Sequence, residues 1–506
     1  MKSVTSFLLV FILTFTFFTS CKQGDQETAR KTMPNFLILM SDNHSWNHLS
    51  CYDEESVPTP NIDQVAEEGV RFTNAYCTVP SCSPARAAML AGQDAWRLQE
   101  AANLWGSFPK VKVYTEMMEE IGYHVGIEGK GWGPGNAEAG GWEHNPGGER
   151  YDSFEAFFNE AEKGKPWMYW YSSRDPHSPY REGGWEKSGI DLASIKVPPY
   201  LPDNEEVRKD IADYFYEIQL FDQDVASYRS LVGEMGQLEN TIIVICSDNG
   251  WQMPRGLANL YDFGLKIPLI ISWPGQFKEG RQVSDFVSLN DFAPTFLELV
   301  GIDAPEEMNA KSFADILYSE ENGRIDTSRN FVVAGRERHA FVRQGGTGYP
   351  GRAIRTDDYL YVKNYEPDRW PAGDPPLFGD VDAHMLHYPA PTKIYMLANQ
   401  DDESVKPLFD LAFAKRPAEE LYDLAKDPYQ LNNVAALPEY AALKQQLADQ
   451  LTKYLRESGD PRETDKPFDW DTAEYYQKRD LHPRPNKTAI EALGLEEAYD
   501  YLSSDE

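Results

Sequence analysis

The stretch TIIVICSDNG, Thr241–Gly250, is an unbroken apolar and β-branched run closed by an acid and a glycine. A strand with one wet face alternates polar and apolar residues, so a short run this uniform implies a strand buried on both faces, as in a parallel sheet. Upstream, Val207, Ile211, Tyr214, Ile218, Phe221, Val225, Tyr228 and Val232 recur at steps of three and four, one apolar face of a long helix over 205–234. NFLILMSD, Asn35–Asp42, repeats the layout of an apolar run ending in an acid. Helix followed by strand, repeated, predicts an α/β fold with a mostly parallel sheet covered by helices on both faces. Ligands of such sheets bind beyond the carboxyl ends of the strands. Asp42 and Asp248 both fall there, and the topology brings these distant residues together.

The chain of 506 residues is 41% hydrophobic, enough for a large core, and carries a formal charge of -33. That charge argues against nucleic acid, which favours a basic footprint. An anionic ligand would need a local basic pocket within an acidic surface. Residues 1–21 read as an export signal: Lys2 precedes an apolar run from Phe7 to Phe18 that is too short to span a bilayer, and small residues lead to Cys21. Cys21 sits where a bacterial lipoprotein would be lipidated, so the membrane enters only through a lipid anchor, on a protein of the periplasm or outer membrane surface. Residues 22–33 read as a polar tether, 34–330 as the main domain, 331–458 as a subdomain of short antiparallel strands with a terminal helix, and 459–506 as an acidic tail that wraps the surface or is partly mobile. Cys51 and Cys77 could pair in an exported chain, and the sequence leaves that open.

SCSPARAAMLAG sets Cys82, Pro84 and Arg86 at the head of a helix. A helix N-terminus presents unpaired N–H groups and the positive dipole end, which favour an anion, and proline suits the first turn. With SDN after the first strand and CSDNG after the later one, the chain resembles the formylglycine-dependent sulfatases of the alkaline phosphatase superfamily. The resemblance runs from Pro34 to Ala435, where EELYDLAKDPYQLNNVA matches the family's C-terminal segment.

The resemblance implies an alkaline-phosphatase-like sheet sandwiched by helices, with a smaller C-terminal antiparallel subdomain. It implies that a maturation enzyme oxidises Cys82 to formylglycine (3-oxoalanine), whose hydrate attacks sulfur with one hydroxyl and expels sulfate with the other. It assigns one Ca2+ to Asp42, Asn43, Asp248 and Asn249, with residue 82, an oxygen-rich set suited to a hard cation. Asn43 stands where relatives commonly have aspartate. By the same resemblance Arg86 holds the nucleophile or a sulfate oxygen, and Lys130, in GYHVGIEGKGWGPG, holds the nucleophile. His177, in YWYSSRDPHSPY, protonates the leaving oxygen.

Two departures stand out. Trp132 replaces a familiar histidine and could offer a sugar ring a platform. Leu257 occupies the place of a sulfate-binding lysine, so Arg255 is expected to reach in instead. Beyond these, GRERHAFVRQGGTGYPGRAIRTDDYLYVKNYEPDRW gathers Arg336, His339, Arg355 and Arg369, candidates to bind a sulfated sugar, although interleaved acids equally suit a salt-bridged surface. This segment looks most like a branch holding heparan N-sulfatase-like enzymes and bacterial polysaccharide sulfatases. The expected activity is therefore release of sulfate from a sulfated carbohydrate such as ulvan or a glycosaminoglycan. Alternatives are an N-sulfoglucosamine sulfamidase, a phosphate or phosphonate ester hydrolase, and an inactive sulfoglycan-binding protein.

Overall fold

Strand β1 (Asn35–Ser41) is buried along its whole length and lies at the centre of an eight-stranded sheet. The computed structural model describes residues 33–379, 389–477 and 487–494. The remaining strands of the sheet are β2 (Val70–Phe72), β4 (His124–Gly129), β5 (Glu149–Arg150), β6 (Trp167–Ser172), β7 (Thr241–Ser247), β8 (Leu269–Ser272) and β9 (Arg281–Val283), in the order β5-β4-β6-β1-β7-β8-β2-β9. Strand β3 (Ala75–Tyr76) pairs outside it with β10 (Val287–Ser288). Only β8 runs antiparallel to its neighbours, so the sheet is mostly parallel, as the apolar runs imply.

Register places the strand ends. Strand β1 pairs with β7 from Asn35↔Thr241 to Ser41↔Ser247, and with β6 from Phe36↔Met168 to Met40↔Ser172. Strand β4 continues the row, ending at Gly129↔Ser172. Gly129 has φ +76, and a Cβ there would lie 2.2 Å from the Ser172 carbonyl oxygen, so only glycine lets the two chains approach so closely. Four adjacent parallel strands therefore end at one level, and the residues following them share one crevice.

The helix Glu205–Glu234 buries Val207, Ile211, Tyr214, Ile218, Phe221, Val225, Tyr228 and Val232, the face predicted from spacing. Asn204 starts it by accepting from the Val207 N–H at 3.0 Å, and Glu205 and Glu206 suit the positive end of its dipole. Among the described residues no helix is long and apolar enough to cross a membrane.

Strands β11 (Phe331–Arg336), β12 (Gly351–Thr356), β13 (Tyr359–Asn364) and β14 (Glu419–Asp423) form the antiparallel sheet in that order. Its Val333, Ile354, Tyr361 and Leu421 share one apolar cluster with Ala88 and Trp96 of the first half and Leu451 and Trp470 of the last. Here the expectation for the tail needs correcting, because Asp460 and Trp470 are buried. Asp460 answers a buried arginine, and the Trp470 ring completes an apolar core. The signal, with Cys21, and the tether up to residue 32 lie outside the described residues. Cys51 and Cys77 are free thiols, not a disulfide.

Candidate active site

The helix Cys82–Ala91 points its first turn at the crevice. Ser81 precedes it in extended conformation but makes no side-chain cap; its hydroxyl bonds His339 Nδ1 at 2.9 Å instead. The leading N–H groups are thus left to whatever occupies the crevice. Cys82 Sγ donates toward Asp42 Oδ1 at 3.4 Å and Asn43 Oδ1 at 3.7 Å, and Asn249 Nδ2 lies 3.6 Å from it. Asn43 has φ +65, a left-handed turn that asparagine adopts more readily than most residues.

Arg86, one helical turn on, is fully buried. Its Nε donates to Asp248 Oδ2 at 2.8 Å, and Nη1 donates to the Gly131 carbonyl at 2.7 Å and to Ser172 Oγ. Lys130 Nζ reaches Asp42 Oδ2 at 2.6 Å. Burial alone would raise the Asp42 carboxyl, but Lys130, His177 and Arg86 hold it well below the usual carboxylate range. Asp248 is pushed up, first by burial and then by Asp42. Burial and Asp42 push the Cys82 thiol well up, while burial alone would lower Lys130 and Asp42, Cys82 and Asp248 together raise it.

This donor set fits a hard divalent cation. Ligand atoms of Asp42, Cys82 and Asp248 all lie within 4.8 Å of one another, and Asn249 Oδ1 is a buried acceptor with no hydrogen bond. Two buried carboxylates this close repel, and a cation between them would remove that repulsion.

The site opens into a cavity of about 390 Å³ lined by Asp42, Cys82, Lys130, Arg174, His177 and Leu257, with His339 at one wall and Trp105 at another. His177 Nδ1 bonds the Ser178 carbonyl, which can only accept, so that nitrogen carries a hydrogen. Every candidate catalytic and metal residue named from the sequence therefore meets at this one place.

Several candidate sugar contacts do not. Trp132 is buried and donates from Nε1 to the Ser83 carbonyl at 3.2 Å, so it braces the Cys82 helix and offers no platform. Arg255 turns away from the cavity, donating to the Leu411 carbonyl at 2.7 Å and the Gln430 carbonyl with its guanidinium over the Tyr261 ring. Leu257 lines the cavity without any arginine taking over its place from Arg255. Arg336 donates to the Pro371 carbonyl at 3.1 Å. Arg355 grips Asp262 with two hydrogen bonds of 2.9 Å, and Arg369 pairs with Asp471 at 2.9 Å. Only His339 of that basic segment reaches the cavity.

The sequence reading missed Gln252. Its Oε1 accepts from Asn43 Nδ2 at 3.1 Å and from the Ser178 N–H at 3.0 Å, tying the metal-site turn to the His177 loop. Its place two residues after SDNG was the available signal. Trp105 and Arg174 had none beyond residue type.

Comparison with known proteins follows the same line. The family model described as Sulfatase matches residues 34–302, and one described as the C-terminal part of N-sulphoglucosamine sulphohydrolase matches 255–372. An ulvan-active sulfatase of Formosa agariphila is 25% identical over 87% of this chain and 84% of its own. The N-sulphoglucosamine sulphohydrolase of Homo sapiens is 27% identical over 84% of this chain and 91% of its own. A solved structure in complex with its substrate, D-glucosamine-2-N,6-O-disulfate, shares the fold at TM-score 0.58 and 18% identity, covering 88% of this chain and 100% of that one.

Proposed function

The chain belongs to the sulfatase family and is a sulfuric ester hydrolase, and from that premise we propose that it removes sulfate from oligosaccharides of an external sulfated polysaccharide, using a formylglycine made from Cys82. The observation that carries the proposal is the convergence of Asp42, Asn43, Asp248 and Asn249 on Cys82 at a helix N-terminus, flanked by Arg86 and Lys130. Formylglycine there would supply, as its hydrate, one hydroxyl to displace the ester and a second to release sulfate, beside a Ca2+ that polarises the sulfate oxygens.

The chain's own residues do the rest. Lys130 and Arg86 neutralise the two carboxylates and offer their charge to the sulfate. His177 delivers a proton to the departing sugar oxygen, which is too basic to leave as an anion. Buried walls exclude water and strengthen each of these interactions.

Ulvan and glycosaminoglycans are the substrate classes favoured by the relatives' names. Sulfamidase action on an N-sulfate is the second reading, supported by the match over 255–372 and by the human relative. We further place the catalytic domain at 34–330, the C-terminal subdomain at 331–458 and the tail at 459–506. Residues 1–21 are a lipoprotein signal with lipidation at Cys21, which sends the enzyme to the periplasm or outer membrane surface.

The test is mass spectrometry of the tryptic peptide FTNAYCTVPSCSPAR from protein coexpressed with a maturation enzyme, followed by a panel of sulfated oligosaccharides. An aldehyde at residue 82 is expected. A thiol in protein that still turns over would overturn the mechanism.

A further inference from the structure

Arg174 is exposed in the loop after β6, and among the described residues its side chain makes no hydrogen bond or ion pair. It lines the 390 Å³ cavity with Cys82 and His177, and it also lines a second, larger cavity of about 730 Å³. The two meet at Gly129 and Arg174. The other arginines of the larger cavity are committed: Arg150 donates to the carbonyls of Gly129 and Lys130, and Arg181 pairs with Asp175 and Glu217. Of its acids, Asp175 pairs with Arg181 and also feels the charge of Arg174, Asp224 is held by the Tyr171 hydroxyl and Glu128 by those of Tyr169 and Tyr228, while Asp152 is exposed. Tyr151 and Tyr216 add aromatic wall.

An uncommitted guanidinium on the rim of a site, in a chain of formal charge -33, is a cation held ready for an anion from outside. Arg174 is exposed where the two cavities join, while Cys82 is buried in the smaller one, so its side chain can reach a group one step along the substrate from the reacting sulfate. We propose that the larger cavity seats the sugar next to the one losing sulfate, and that Arg174 binds an anionic group on it, a uronate carboxylate or a second sulfate. This makes Arg174 a specificity residue for polyanionic chains, a role that rests on the sulfatase reading of the adjoining site.

The test measures hydrolysis of 4-nitrophenyl sulfate by matured wild-type, Arg174→Ala and Arg174→Lys protein. Competing ligands are inorganic sulfate, a sulfated uronate-containing tetrasaccharide and its carboxyl-reduced counterpart. Loss of one charge-assisted contact should raise the tetrasaccharide's inhibition constant in Arg174→Ala about tenfold more than that of inorganic sulfate, with Arg174→Lys recovering part of the difference. If the reduced tetrasaccharide binds wild type as weakly as the intact one binds Arg174→Ala, the anion is the carboxylate. If reduction changes nothing, it is the second sulfate. Parallel changes for tetrasaccharide and sulfate, no change for either, or no inhibition of wild type by the tetrasaccharide would each overturn the proposal. Failure of matured wild type to cleave the aryl sulfate would strike the sulfatase reading instead. Calorimetric binding of the same ligands to Cys82→Ala protein, with and without Arg174→Ala, would then decide the role of Arg174.

Discussion

Two sets of cationic side chains look alike in the sequence and behave oppositely in the fold. In the C-terminal sheet and its loops, Arg336, Arg352, Arg355 and Arg369 are spent on carboxylates and carbonyls of the protein itself. Around the crevice, Lys130, His177 and Arg174 line a cavity, and buried Arg86 steadies one of its carboxylates. Arg352 is the extreme of the first set: its side chain is 1% exposed and pairs with Asp460 at 2.6 Å and Glu337 at 2.8 Å. The second set, also of four residues, surrounds the crevice. An arginine's meaning therefore lies in whether the fold supplies its anion or leaves that to a ligand.

The contrast can be broken at either end. The largest effect is expected at the crevice: Cys82→Ala should lower turnover of a matured preparation by about 10⁴-fold or more, as removal of a nucleophile does, with thermal unfolding little changed. Steady-state kinetics beside calorimetry would check it. In the structural set, Arg352→Ala should cost about 3–5 kcal/mol of stability, because buried Asp460 loses its cationic partner and Glu337 keeps only Arg462, while the folded fraction keeps its kcat/KM. Denaturant melts monitored alongside activity would show a lowered midpoint, and a loss of activity without one would merge the two sets.

Between these, His177→Ala should reduce kcat about 10²-fold or more on sugar sulfates, and much less on aryl sulfates whose leaving oxygen needs no proton. Equal losses on both substrates would remove the proton-donor role. The smallest effect sharpens the boundary: Trp132→Phe forfeits one hydrogen bond to the Ser83 carbonyl and should cost about 1 kcal/mol of stability. A selective rise in KM for sugars would instead return Trp132 to the binding surface.

Much of the fold was legible because its signals are local. The runs 35–42 and 241–250 and the three-and-four spacing over 205–234 need no distant partner to be read, and each formed the element it predicts. The motif residues were legible too, since Asp42, Asp248, Cys82, Arg86, Lys130 and His177 all follow strand ends or open a helix. The sugar contacts were not. Arg255, Arg336, Arg355 and Arg369 share composition with a binding patch, but their partners are Leu411, Pro371, Asp262 and Asp471, and no spacing rule names those. The tail was illegible for the same reason: its acidic composition does not announce that Arg352 takes Asp460 and that the β11–β14 core takes Trp470.

The sequence by itself determined the parallel sheet, the level at which its strands end and the residue types gathered there, since hydrophobic pattern and backbone preference act over a few residues. Tertiary structure alone decided which charges are neutralised within the protein and which face the cavity. An ion pair is settled by distance and burial in space, and neither can be read from separation along the chain.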